Sequence, residues 1–265
     1  MKKIYAFALS VLALGISSCE DEPYEQQLID FKTSEAYSFM PMQEGSYWVY
    51  DVEYINADGT PYDGNDPLYA NSTDSVYVSA SGYHMGREAF FAENHNIQSG
   101  AIENIVYAFV GNSLYVYIDP LAGSASGVTY GPSGWTEVFD LDYDTKTIAS
   151  QNLSTKDERN PAAPYLEGSY SYSYEIYGTD MKEVFEGEGK IEVMEIGYTT
   201  DLDIWQHVPT FPSVQRTTSS TDITRLGKNI GPVYSETSTA TSGFLTNEDQ
   251  GDKPIRVSRL VRYKL

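Results

Sequence analysis

Strict alternation is the feature that most limits what this chain can fold into. Residues 169–177 read Ser-Tyr-Ser-Tyr-Ser-Tyr-Glu-Ile-Tyr. In an extended strand successive side chains point to opposite faces, so Tyr170, Tyr172, Tyr174 and Ile176 share one face and Ser169, Ser171, Ser173 and Glu175 the other. A helix would scatter the same residues around its axis. The period recurs along the chain. In residues 47–54, Trp48, Tyr50, Val52 and Tyr54 fall on one side and Asp51 and Glu53 on the other. Further strands are expected at 75–80, 86–92, 104–110, 113–118, 135–141, 184–196, 214–226, 233–241 and 255–263. Gly111-Asn112 is placed for a two-residue hairpin turn, and Gly187 and Gly189 for a bend within one long strand. Residues 56–59, 62–67, 119–134 and 150–164 are rich in turn formers and read as loops. No sustained helical period appears after residue 37. The expectation is all-β: a single curved antiparallel sheet of about a dozen strands, curled as a barrel, a half-barrel or paired sheets.

The first 18 residues behave differently. Lys2 and Lys3 precede an apolar run from Ile4 to Ile16, too short for a membrane-spanning helix but of the length of a signal-peptide core. Ile16-Ser17-Ser18-Cys19 resembles the lipobox of bacterial lipoproteins. The resemblance implies cleavage before Cys19 and lipidation of its thiol, with the membrane as partner through that anchor; two or more acyl chains hold stably where one does not. Cys19 is the single cysteine of the chain, so no internal disulfide and no cysteine-based zinc site can form. Glu20-Asp21-Glu22 follows, resembling the surface-export signal of Bacteroidota lipoproteins, which implies an outer-membrane protein facing the cell exterior, with the periplasmic face as the alternative. The expected organisation is a signal peptide over 1–18, an acidic tether over 19–37 and the β-domain over 38–265.

Charge narrows the partners. The chain carries 17 Lys and Arg against 38 Asp and Glu, a formal charge of −21. Such a surface repels phosphate, so neither nucleic acid nor anionic lipid is an electrostatic partner. Five of the basic residues, Lys253, Arg256, Arg259, Arg262 and Lys264, cluster at the C-terminus. Alternation would put Arg256, Arg262 and Lys264 on one face, where they balance acidic strands and discourage edge pairing.

Three points in the β-domain resemble a pattern of secreted bacterial proteins and lipoproteins. They are Phe39–Tyr50, with its Pro41, Gly45, Trp48 and Tyr50; Gly86-Arg87-Glu88-Ala89-Phe90-Phe91; and Gly227–Glu236. The resemblance implies a curved sheet similar to lipocalin and lipoprotein-carrier half-barrels and brings no catalytic residues.

Catalytic and metal motifs are not apparent. Asp140, Asp142 and Asp144 alternate, but Thr145 stands where a calcium loop needs glycine. His84, His95 and His207 are far apart. There is no Gly-x-Ser-x-Gly elbow and no His-Glu-x-x-His. Glu186, Glu188, Glu192 and Glu195 read as an acidic strand. No cofactor, metal or catalytic residue is expected. The 23 tyrosines are unusual. Tyr170, Tyr172 and Tyr174 could line a glycan platform or an apolar cavity, or serve as core and cross-strand pairs. The expected function is therefore binding or carrying a glycan or apolar ligand, with an interaction subunit of an envelope assembly as the alternative and a hydrolase built on a carboxylate pair among those glutamates as the less favoured third. Asp74-Ser75-Val76 matches the Asp-Ser/Thr-apolar sequon of Bacteroidota, placing a glycan on Ser75 at the exposed start of a strand.

Overall fold

The computed structural model describes residues 31–265 apart from 65, 98, 119–123, 126–127, 130–132, 157–158, 161–162, 186–188 and 239–253. Cys19 and the leader lie outside the described residues, as do Glu186, Glu188 and Lys253.

The alternating segments become β1 (Tyr47–Ile55), β2 (Ser72–His84), β3 (Arg87–Asn96), β4 (Ile102–Val110), β5 (Ser113–Ile118), β8 (Gly134–Asp140), β9 (Thr145–Ser154), β10 (Tyr165–Glu183), β11 (Lys190–His207), β12 (Val214–Gly227), β13 (Gly231–Ser238) and β14 (Ile255–Lys264). A two-residue pair, β6 (Ser124–Ala125) and β7 (Val128–Thr129), stands apart. The other twelve form one antiparallel sheet in the order β8-β5-β4-β3-β2-β1-β14-β13-β12-β11-β10-β9. It curls nearly into a barrel. The first and last strands of the chain's main run, β1 and β14, pair with each other. The two strands left at the edges, β8 and β9, are consecutive in sequence.

Inward-facing residues of every arm of the sheet meet in one apolar core. Trp48, Phe139, Tyr174 and Ile196 are almost wholly buried in it, with Phe90, Phe109, Leu114 and Leu260 around them. Trp48 Nε1–H donates to the Ile230 carbonyl at 2.5 Å, joining β1 to the β12–β13 turn. Gly231 follows at φ +103°, and a Cβ there would meet Trp48 Nε1 at 2.9 Å, so glycine is required on both counts. A second, smaller cluster of Leu153, Tyr170, Leu202 and Ile204 covers the long ends of β9, β10 and β11.

Four expectations are corrected. Residues 31–37, expected within the tether, are structured: Phe31–Thr33 forms a 3-10 turn and Glu35–Phe39 a short helix, α1, capped by Ser34 Oγ, which accepts the Tyr37 N–H at 3.2 Å. Phe31 stacks on Phe109 at 5.9 Å between centroids and Ala36 and Phe39 are buried, so apolar burial pins this stretch to the core. The strand expected across 184–196 begins only at Lys190, because β10 runs on to Glu183 and Lys190 opens β11 opposite it. Residues 150–154, read as loop, belong to β9, where Leu153 is anchored in the second cluster. Finally, Arg256, Arg262 and Lys264 do not share a face. The register shifts between Val49 and Tyr50, so that Arg262 lies opposite Val49 and Leu260 opposite Tyr50. The extra residue, Val261, is a bulge that sends Arg262 and Lys264 to the face opposite Arg256.

Candidate functional site at the seam between the edge strands

β8 and β9 are joined by Leu141–Asp144, a connection short enough for a hairpin, yet among the described residues no backbone pairing links them. Each is held elsewhere. Leu141 N–H donates to the Asn112 carbonyl at 3.0 Å, extending β8 toward the β4–β5 turn, and Ile176 N–H donates to Asp144 at 2.7 Å, tying the start of β9 to β10. Both strands also carry a bulge near this end: Val138 in β8, where Leu114 opposes Phe139 and Tyr115 opposes Glu137, and Ile148 in β9, where Tyr172 opposes Ala149 and Ser173 opposes Thr147. Each bulge bends its own strand locally, and among the described residues no ladder joins the two strands. A seam therefore stays open where the barrel would close.

Side chains bridge the seam at its turn end. Lys146 Nζ lies 2.7 Å from Glu137 Oε2 and 3.5 Å from Asp140 Oδ2. The hydrogen bond to Glu137 raises the Lys146 ammonium well above its ordinary pKa, outweighing desolvation, so it remains charged. Tyr174, rooted in β10, reaches across so that its hydroxyl oxygen accepts the Asp140 N–H at 3.0 Å. Its own proton lies within reach of the Asp140 carbonyl at 3.3 Å and of Glu137 at 3.4 Å. Burial pushes this phenol up to about 12.

Beyond these bridges the seam widens into a cleft of about 330 Å³, lined by Tyr115, Trp135, Thr136 and Glu137 on one bank and Lys146, Thr147, Ile148 and Ala149 on the other. Trp135 is fixed by its indole N–H, which donates to the Met85 carbonyl at 3.1 Å. Arg87 stacks on Tyr115 at 4.1 Å and lies 5.4 Å from Trp135. His84 sits edge-on to Tyr117 at 4.5 Å. The buried Arg87 Nη1 and His84 Nε2 have no hydrogen-bond partner, but both lie among aromatic faces that attract N–H groups. This outer layer makes a stiff wall for the cleft. A smaller cleft of about 190 Å³ lies near Arg225, Tyr234 and Arg259, whose cations are already paired: Arg225 with Glu195 and Arg259 with Glu53.

The residues singled out by sequence fall unevenly. Tyr170 and Tyr174 are buried and Tyr172 is half-buried, stacked on Tyr198 at 6.1 Å. The tyrosine row is thus core and cross-strand packing, and only the Tyr174 hydroxyl reaches the seam. Ser75 is half-buried within β2, between Val49 and His95, and not at the strand's start. β2 begins at Ser72 because Asp74 is drawn into the sheet by Arg256 and by the Asn96 amide at 2.8 Å. Asp142 and Asp144 are exposed in the β8–β9 turn, where Asp142 N–H donates to Asp140 Oδ1 at 3.0 Å. His95 and His207 bind Glu93 and Glu167, each at 2.8 Å, and neither lines the cleft. Of the acidic strand, Glu192 pairs with Lys228 and Glu195 with Arg225. Trp135, Tyr115 and Lys146 went unremarked in the sequence, because nothing local says that the ends of the sheet order are neighbours.

No family model matches the chain, and no curated protein does. Among solved structures, one similar chain is a Parabacteroides distasonis protein described provisionally as a lipoprotein. It is 14% identical, with 85% of this chain and 98% of that chain covered and a TM-score of 0.43. Another is a Bacteroides fragilis protein described provisionally as exported, with a YmcC-like fold. It is 16% identical, with 86% and 99% covered and a TM-score of 0.44.

Proposed function

We propose that the protein is an exported, lipid-anchored binding protein, tethered to the outer membrane through Cys19, displayed at the cell surface, and holding its ligand in the seam between β8 and β9. The observation that carries this reading is the open seam itself: a concave site between two unpaired strand edges, with aromatic and charged side chains in fixed positions. A carrier role with an apolar ligand inside the barrel has less support, since Trp48, Phe139, Tyr174 and Ile196 occupy the interior. The anchor rests on Ile16-Ser17-Ser18-Cys19 and the three acidic residues after it. On the outside of β2, Ser75 is the glycan acceptor of this reading, its neighbour Tyr77 on the same face being exposed.

Native mass spectrometry of the protein purified from its own envelope tests the reading. The wild type should carry a retained ligand that Ala149→Trp, which fills the cleft, loses. Equal retention by both proteins, or none by either, would contradict it. In the same spectra, a hexose-bearing Ser75 peptide that is absent from Ser75→Ala supports the modification, and a mass of polypeptide plus lipid alone rejects it.

A further inference from the structure

We infer that the occupant of the seam is an extended polypeptide segment carrying basic residues, which adds as a strand to the edge of β9 that no other strand pairs with among the described residues, and reaches β8 with its other edge. The inference rests on the seam being the binding site. Three observations carry it. The first is backbone chemistry. An edge strand presents unpaired N–H and C=O groups at strand spacing, and the partner that matches such a row is another extended backbone. Here two such edges face each other across one cleft, and among the described residues no ladder joins them. β9 offers the longer edge, 10 residues with no proline and Lys146 as its single charge. It lacks the proline and the clustered charges with which exposed edges are normally blocked. Because every neighbouring pair in the sheet is antiparallel, β8 and β9 run in opposite directions, so a single strand pairs antiparallel with one edge only. The longer edge takes that ladder.

The second observation is charge. Glu137, Asp140, Asp142 and Asp144 gather at the turn end of the seam, where Lys146 is the one cation paired with them among the described residues. A segment entering there is favoured by Lys or Arg at its matching end, and the chain's overall charge of −21 steers such a segment inward. The third is the wall. Tyr115 and Trp135, held by Arg87 and the Met85 carbonyl, give the middle of the segment a rigid flat surface for an apolar or aromatic side chain.

The test uses the mature protein and a random 12-residue peptide library, counter-selected against Ala149→Trp and against Thr147→Trp. Two variants are used so that misfolding of one, checked by its unfolding midpoint, leaves the comparison intact. Enriched peptides should be basic and should bind the wild type at least tenfold more tightly than either variant. Methylation of alternate backbone nitrogens in the peptide should weaken binding at least tenfold, since it removes one ladder's donors and leaves the side chains in place. Failure to enrich any peptide over the counter-selection, or enriched peptides indifferent to N-methylation, would overturn the inference. If the envelope-purified protein instead retains a saccharide that Ala149→Trp loses, the seam remains the binding site and the polypeptide inference falls. If Ala149→Trp loses nothing, the seam reading falls as well.

Discussion

Trp48 does more than fill space. It is almost wholly buried, and its indole N–H is the partner of a carbonyl 182 residues away in sequence. Trp48→Phe keeps a ring but leaves the Ile230 carbonyl unpaired and a void beside it. The combined loss should be about 2–4 kcal/mol, read as a lower urea midpoint with an unchanged slope. Trp48 was legible as a core residue from alternation alone; its partner was not, because the glycine-rich turn that carries Ile230 is brought close only by β14 pairing with both β1 and β13. Asp74 shows the same limit. Its neighbours Asn71, Ser72 and Thr73 spell a turn, whereas the side chain is buried against Arg256, also 182 residues distant. Short-range rules cannot see an ion pair formed across β1. At the seam, the Tyr174 ring follows from the Ser-Tyr repeat, while its bond to the Asp140 N–H follows only from the placement of β8.

Among elements, periodicity located most strands and failed where one residue is inserted. Val261 is the clearest case. Strict alternation through β14 would put Arg262 and Lys264 on the face that holds Arg256, but the bulge turns Tyr263 inward to stack on Phe185 at 5.8 Å. Deleting Val261 removes only the extra residue and leaves Leu260 opposite Tyr50, Arg262 opposite Val49 and Tyr263 opposite Trp48, so every side chain keeps its face. The deletion should lower the melting temperature about as little as Val261→Ala, and far less than Tyr263→Ala, which removes the inward ring. A deletion as damaging as Tyr263→Ala would mean that Val261 is not the extra residue of β14. The helix α1 escaped notice for another reason: at five residues it is too short to show a period. Its stability comes from burial of Phe31, Ala36 and Phe39 rather than from helix propensity.

For the whole molecule, closure of one sheet around aromatic side chains has a consequence in alkali. Burial pushes the phenols of Tyr107, Tyr174 and Tyr234 up to about 12, and raises those of Tyr50 and Tyr198 well above their ordinary value. In the unfolded chain they ionise near 10. A folded pKa above the unfolded one means that the stabilisation is complete below pH ~10 and is lost as pH rises through about 12. Absorbance near 295 nm should therefore show one group of tyrosines titrating normally and a second appearing together with unfolding. A single smooth titration of all of them would show that the phenols are not buried as described. The all-β architecture and the count of about a dozen strands were legible in the sequence, since alternation and turn residues are local. The strand order was not, and with it went the site, because an open seam between β8 and β9 depends on which strands end up at the edges. That seam is the claim most open to direct measurement. Amide hydrogen exchange of the ligand-free protein, read residue by residue, should show the amides of β1, β2 and β10–β14 protected throughout their paired lengths. β8 and β9 should each show alternate residues exchanging fast, those whose N–H groups point into the seam. Continuous protection along both strands would mean that they pair with each other, that the barrel is closed, and that the binding site is elsewhere.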